Sequence, residues 1–360
     1  MKLKAKSAIE AHDPVTHGGL YSKKITSLGV LDFSSNVTPA GMPIKVKKSI
    51  KKNLEKIENY PDIHSSQLLK SLQKFTNLSE DYLVVGNGAI EIIYNFCNAF
   101  LSKDTPVLIP IPIFSEYEAT CKMNNCKITF FRTMDLQKNL ESFISKIPKN
   151  GCVFICNPNN PTGKLLPKKN LIQIIDKAKK QNSIVFVDEC FIELVPSSNE
   201  SVISSVKKFD NVLVLRSFTK SFGLAGIRIG YAASSKYIIS VLKKIKIPWS
   251  INYVAEQAAI SATQNSSHLT KSKSIIKKEY DFLKNKIAKI DGFELVDSST
   301  NFILIRTEYD STKLQKKLLE KKILVRDCKT FRGLDNHFIR IAIKSHKDNL
   351  RLLKALERIK

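Results

Sequence analysis

No apolar run in the 360-residue sequence approaches the roughly 20 residues that cross a bilayer, which excludes a helical membrane span. The basic amino end, MKLKAKSAIEAHD, lacks the apolar h-region of a secretory signal, so a cytoplasmic location is expected. The seven cysteines are odd in number and form no C-x-x-C pair, so neither a disulfide framework nor a zinc site is indicated. Buried free thiols are expected instead. Internal repeats, low-complexity tracts and obvious linkers are also missing. Arginine is scarce: only nine of the 58 basic residues are arginine, so each position carries information.

Lysine, by contrast, is abundant, and the formal net charge is +25. The excess lies along polar helix faces such as DKAKKQ (176–181) and KLQKKLLEKK (313–322), without interleaved aromatics or a recognisable nucleic-acid-binding module. A solvated lysine surface therefore outweighs a nucleic-acid interface, and no nucleic-acid partner is expected. Apolar residues make up 43% and charged residues 25%, the balance of a globular chain long enough for one large domain and a smaller one.

After some forty irregular residues and a basic helical segment, helices and short apolar strands alternate from residue 66 onward. The strands read YLVVGNG, PVLIPIP, KITFF, CVFICNP, SIVFVDE and NVLVLRS. This alternation predicts βαβ units and a mostly parallel sheet covered on both faces. Beyond about residue 255 a long helical stretch ending near Ile290 precedes FELV, NFILIR, ILVRD and FIRIAI, the pattern of an antiparallel α+β module. The fold class expected is α/β with a second, smaller unit, against which the amino-terminal segment packs.

Ligands of open α/β sheets gather at the carboxyl ends of the strands. Gly88 and Ala89 open a helix after YLVV, where backbone N–H groups can hold an anion. Asn157 begins the turn cluster NPNNPTG. Asp188 ends SIVFV at the rim of a buried sheet, where a carboxylate is costly unless a cation or donor meets it. Lys220 stands in RSFTKSFGLAGIRIGY (216–231), a stretch of hydroxyls, aromatics and glycines, with Arg228 eight positions further on. A buried carboxylate, a lysine of lowered pKa and an anion site suit pyridoxal 5'-phosphate. Lys220 would meet the aldehyde as a neutral amine, Asp188 would keep the ring nitrogen protonated, and Ser217, Thr219, Arg228 and the Gly88 and Ala89 amides would bind the phosphate.

The motifs NPNNPTG, VDEC and SFTKSFGLAGIRIGY, in that order and spacing, resemble the fold-type I, class I and II aminotransferases over nearly the whole chain. The resemblance implies a large domain over 46–258 with a mostly parallel seven-stranded sheet, and a small α+β domain from 1–45 and 259–360. It also implies a homodimer sharing its active sites. By the same resemblance Asn157 meets the ring's phenolic oxygen, Phe114 stacks on the ring, and Tyr60 reaches the neighbouring subunit's phosphate.

Within that family, HGG before LDFSSNVTPAGMP, IENYPD, KIPWSINYVAEQAA and VRDCKTFRGLDNHFIRIAI are most similar to the threonine-phosphate decarboxylases of cobalamin biosynthesis, with histidinol-phosphate aminotransferases next. Phe191 occupies a position where many aminotransferases carry tyrosine. The resemblance thus implies decarboxylation of a small phosphorylated amino acid, L-threonine O-3-phosphate, with Arg326, Arg340, Asn36 and His17 holding the substrate. Amino transfer between histidinol phosphate and 2-oxoglutarate is the alternative, and a non-enzymatic nucleic-acid binder a distant one. Either reaction depends on which bond of the α-carbon stands perpendicular to the cofactor ring.

Overall fold

The computed structural model describes residues 3–21, 25, 29–196 and 199–359. Its strands in chain order are β1 (Leu31–Asp32), β2 (Leu83–Gly86), β3 (Pro106–Ile111), β4 (Lys127–Arg132), β5 (Cys152–Cys156), β6 (Ile184–Asp188), β7 (Val212–Ser217) and β8 (Gly230–Ser234), then β9 (Phe293–Val296), β10 (Phe302–Thr307), β11 (Ile323–Leu324), β12 (Arg326–Asp327) and β13 (Phe338–Ala342). Seven of them form one sheet in the order β2-β8-β7-β6-β5-β3-β4. Six run in one direction, and β8 alone is antiparallel to its neighbours β2 and β7. Every residue of β5 and β7 is buried, as a sheet covered on both faces requires.

The covering helices bury apolar stripes at helical spacing. Gly88–Phe100 buries Ile92, Ile93, Phe96 and Cys97, while Lys168–Lys180 buries Leu171, Ile174, Ile175 and Ala178 and leaves its lysines in solvent. Each such large side chain contributes about 1.5–3 kcal/mol on burial. These two helices pack on β8 and β6 respectively, which fixes the ends of the strands between them.

β8 has no counterpart among the strands expected from the apolar pattern. Its sequence, Gly-Tyr-Ala-Ala-Ser, lacks the β-branched residues that mark a strand. The small residues answer a packing demand: a Cβ on Gly230 would stand 2.6 Å from the Ala89 nitrogen and 3.0 Å from the Arg216 carbonyl. The helix beginning at Gly88 is thereby brought against the end of β7.

A second sheet, β12-β13-β10-β9, is antiparallel throughout, and β1 pairs with β11 in a separate two-stranded ladder. The segment after β1 is stitched to the carboxyl-terminal strands by Phe33 N–H to the Leu324 carbonyl and Ala342 N–H to the Phe33 carbonyl, both 2.8 Å. The long helical stretch expected after residue 255 is two helices, Tyr253–Thr263 and Ser266–Ile287. Asn265 interrupts it with non-helical backbone (φ −122°, ψ 60°), its side chain accepting the Ser267 hydroxyl at 3.1 Å. Asn252, Asp310 and Ser345 cap their helices by accepting N–H groups at 2.8, 2.9 and 3.2 Å.

Candidate active site

Asp188 and Ser217 end β6 and β7, Cys156 ends β5, and a cavity of about 280 Å³ opens beside them. Lys220 lies in the short helix Phe218–Ser221, whose first turn is capped by Ser217 Oγ accepting the Thr219 N–H at 3.2 Å. The Lys220 carbonyl accepts the Thr38 N–H at 3.0 Å, which fixes the peptide that carries the amine. Although the side chain lines the cavity and is only half-buried, it lies deep below the molecular surface. Burial pushes its amine down to about 8, and the charges of Arg340 and Arg228 act in the same direction. At pH 7 about a tenth of such an amine is neutral, against fewer than about one in a thousand for an ordinary lysine.

Asp188 is buried and lines the same cavity. Its Oδ2 accepts the Tyr117 hydroxyl at 2.5 Å and its Oδ1 accepts the Cys190 N–H at 2.8 Å. Burial raises its carboxyl above the ordinary range, while the hydrogen bonds from Cys190 and Tyr117 and the Lys220 charge oppose that rise. Tyr117 is fully buried and stacks on Phe154 at 5.2 Å, so its hydroxyl is held in place by packing. Nothing in the sequence singled it out, since a tyrosine on an apolar helix face reads as core. Phe114 lines the cavity and meets Tyr117 edge-on at 5.6 Å.

The anion cradle expected from the sequence assembles as one surface. Ala89, Ser217, Thr219 and Arg228 all line the cavity, and Arg228 Nη1 donates to Thr219 Oγ1 at 3.5 Å and to the Ala225 carbonyl at 3.0 Å. Gly88 sits just behind. Its φ is +77°, and a Cβ there would stand 2.5 Å from Arg228 Nη2, so both backbone and space require glycine.

Arg326 and Arg340 are partners directly opposite one another across β12 and β13. Both are buried, and neither makes an ion pair among the described residues. Arg340 donates to the Asn160 side-chain oxygen and, at 3.0 Å, to the Ser34 carbonyl; Arg326 donates to the Thr16 carbonyl at 2.7 Å and to Thr330 Oγ1 at 3.0 Å. Aromatic rings stand where carboxylates would be expected. Arg340 lies over Phe302 (5.5 Å) and Phe331 (5.8 Å), Arg326 over Phe331 (5.4 Å), and the Lys220 amine over Phe191 (5.8 Å). Phe191 in turn packs edge-on against Phe302 at 4.9 Å. Burial pulls the Arg340 guanidinium down to about 10 and lowers Arg326 as well.

Asn157 does not join this group. Its side chain is consumed by the Leu166 backbone, donating to the carbonyl at 2.9 Å and accepting the N–H at 2.7 Å, and it lies outside the cavity. The third asparagine of NPNNPTG, Asn160, lines the cavity instead and holds Arg340. The expectation for Asn157 is corrected accordingly: it braces the turn that presents Asn160.

Asn36 and His17 reach the cavity rim. The Asn36 side-chain oxygen is buried without a hydrogen-bond partner among the described residues, as is Arg340 Nε, so both are placed to serve a ligand. His17 Nε2 pairs with Glu116 Oε1 at 2.7 Å, and Glu116 also accepts the Tyr94 hydroxyl at 3.0 Å. Tyr60 is the exception: it is 84% exposed, stacks on Trp249 at 5.1 Å and lies away from this chain's cavity.

A lysine with a depressed pKa, a buried carboxylate, a glycine-tight phosphate cradle with its own arginine and two unpartnered buried polar atoms fit pyridoxal 5'-phosphate. Together with the mixed seven-stranded sheet, they define a fold-type I enzyme dependent on that cofactor. The family model described as "Aminotransferase class I and II" matches residues 29–359, and the chain belongs to that family. A histidinol-phosphate aminotransferase of Methanococcus aeolicus is 34% identical over 337 residues, covering 92% of this chain and 90% of the archaeal protein. The threonine-phosphate decarboxylase of Salmonella typhimurium is 32% identical over 353 residues, covering 95% and 96%. The crystal structure of the histidinol-phosphate aminotransferase from Clostridium acetobutylicum superposes with a TM-score of 0.84 at 33% identity, covering 91% of this chain and 98% of that one. Among the described residues no helix is long and apolar enough to cross a membrane.

Proposed function

We propose that this enzyme removes CO2 from L-threonine O-3-phosphate, giving (R)-1-aminopropan-2-yl phosphate, the step that serves cobalamin biosynthesis. The supporting observation is the pair of buried guanidiniums, Arg326 and Arg340, facing each other with no ion-pair partner among the described residues. Like charges directly opposite in a ladder are destabilising, and a compact substrate bearing two anionic groups relieves both.

Pyridoxal phosphate, when bound, supplies an electron sink for the bond that breaks. Ser217, Thr219, Arg228 and the Gly88 and Ala89 amides would hold its phosphate, Phe114 would lie against its ring, and Asp188, oriented by Tyr117, would keep the ring nitrogen protonated. Arg326 and Arg340 receive the substrate's carboxylate and phosphate between them, with Asn160, Asn36 and His17 completing the grip. Their task would be orientation, holding the substrate's carboxylate in the position from which it departs. Lys220 then delivers a proton to the α-carbon that the departing carboxylate leaves. Phe191 has no hydroxyl to draw Lys220 aside, consistent with an amine kept for that proton.

A second reading, amino transfer from histidinol phosphate to 2-oxoglutarate, is favoured by the 34% identity to the archaeal aminotransferase. We further propose a large unit over 46–258, a small one from 1–45 and 259–360, and a cytoplasmic homodimer in which exposed Tyr60 reaches the partner's cofactor phosphate. One assay separates the reactions: CO2 release from O-phospho-L-threonine, run beside glutamate formation from histidinol phosphate and 2-oxoglutarate. Decarboxylation with negligible glutamate is the expected result. Transamination without CO2 release would overturn the assignment.

A further inference from the structure

Residues 326–334 carry a feature that the cofactor does not require. The Phe331 ring is buried at the cavity wall and lies under both guanidiniums, 5.4 Å from Arg326 and 5.8 Å from Arg340. The segment bearing it is fastened to the edge of the large sheet. Arg332 forms a bidentate pair with Glu118 at 2.7 Å on each arm and lies over the Phe130 ring at 4.6 Å, and Arg132 donates to the Gly333 carbonyl at 3.3 Å. The hydrogen bonds to Thr16, Thr330, Asn160 and Ser34 each hold one guanidinium, whereas the Phe331 ring is shared by both, whose like charges otherwise repel across the ladder. A desolvated ring supplies attraction to both.

We infer that Phe331 is a specificity-determining residue: it sets the separation between the two anion-binding guanidiniums and so selects the distance between the ligand's carboxylate and phosphate. Glu118 and Arg332 are positioning residues that hold Phe331 in register. The inference rests on the proposed dianionic substrate but is independent of which bond that substrate loses.

The test uses holoenzyme and two dianions that lack an amino group and cannot react, 3-phosphoglycerate and the one-carbon-longer 4-phosphoerythronate, with dissociation constants from calorimetry. Wild type is expected to prefer the shorter dianion by about tenfold. Phe331→Leu, which keeps the apolar volume and removes the ring, weakens the shorter by about tenfold and brings the two within about threefold. Glu118→Gln, on the outer face, moves the ratio in the same direction by about twofold. A wild type without preference overturns the inference, as does Phe331→Leu with the wild-type ratio and an unchanged holoenzyme spectrum. Should Phe331→Leu not fold, an unchanged ratio in Glu118→Gln overturns it equally. Failure of the decarboxylase assignment shows up separately, as absence of CO2 from O-phospho-L-threonine.

Discussion

Replacing Lys220 by methionine should stabilise the cofactor-free protein. The amine's fall from the usual 10.5 to about 8 arises first from burial, then from the Arg340 and Arg228 charges. At about 1.4 kcal/mol per tenfold change, keeping it protonated in the folded state costs about 3 kcal/mol. Water in the cavity screens part of this, so a gain of about 2 kcal/mol at pH 7 is expected for Lys220→Met, or about 1 M in urea midpoint with a slope near 2 kcal/mol/M. The pH dependence has a definite sign. Between about 8 and 10.5 the unfolded lysine binds a proton that the folded one has lost, and stability rises with pH wherever the unfolded state binds more protons. Wild type should therefore climb toward the variant across that window, and the gap should be full below pH 8. Urea titrations of both proteins at pH 7 and pH 10, after removal of pyridoxal phosphate, make the comparison. Equal midpoints at pH 7, or a gap that does not narrow by pH 10, would refute the account of a strained amine.

Asn160→Ala should reduce kcat/KM by about a hundredfold and cost about 1–3 kcal/mol of stability, because it strips a hydrogen bond from a buried guanidinium. Asn157→Ala should cost about 2 kcal/mol through its two lost backbone bonds while the folded fraction stays active; initial rates per folded molecule, with the folded fraction from calorimetry, separate the two. Gly88→Ala forces a side chain into Arg228 at φ +77°, so the pyridoxal phosphate dissociation constant, read from visible absorbance, should rise at least tenfold. Tyr117→Phe removes a hydrogen bond that holds the Asp188 carboxylate ionised against its burial. Activity that depends on that carboxylate falls as pH drops through its pKa, so the acid limb of kcat/KM should move to higher pH; an unmoved limb would dissociate Tyr117 from the site.

The parts of the fold carried by strong apolar periodicity were legible in the sequence: CVFIC, SIVFV and NVLVLRS are β5, β6 and β7 to within a residue or two. β8 was not, because Gly-Tyr-Ala-Ala-Ser is shaped by the approach of the Gly88 helix rather than by burial of branched side chains. That Asp188, Lys220, Ser217 and Thr219 would gather at one cavity was legible because each ends or follows a strand at short range. Choosing between Asn157 and Asn160 could not be done that way, as both precede proline in NPNNPTG and only the Leu166 backbone decides which is occupied. Tyr117, Glu116 and Phe331 act across more than 70 residues or through ring faces, and such long-range pairings leave no local pattern.

The use of Phe191, Phe302 and Phe331 as companions for Lys220, Arg340 and Arg326 bears on how quickly ligands exchange. A site whose cations rest on carboxylates must break those ion pairs before an incoming anion can enter, and the released acid then repels it. Benzene rings neither compete for the cation's hydrogen-bonding edge nor carry charge of their own. An arriving anion thus finds two receptors held only by neutral hydrogen-bond acceptors and ring faces, with no ion pair to break first among the described residues.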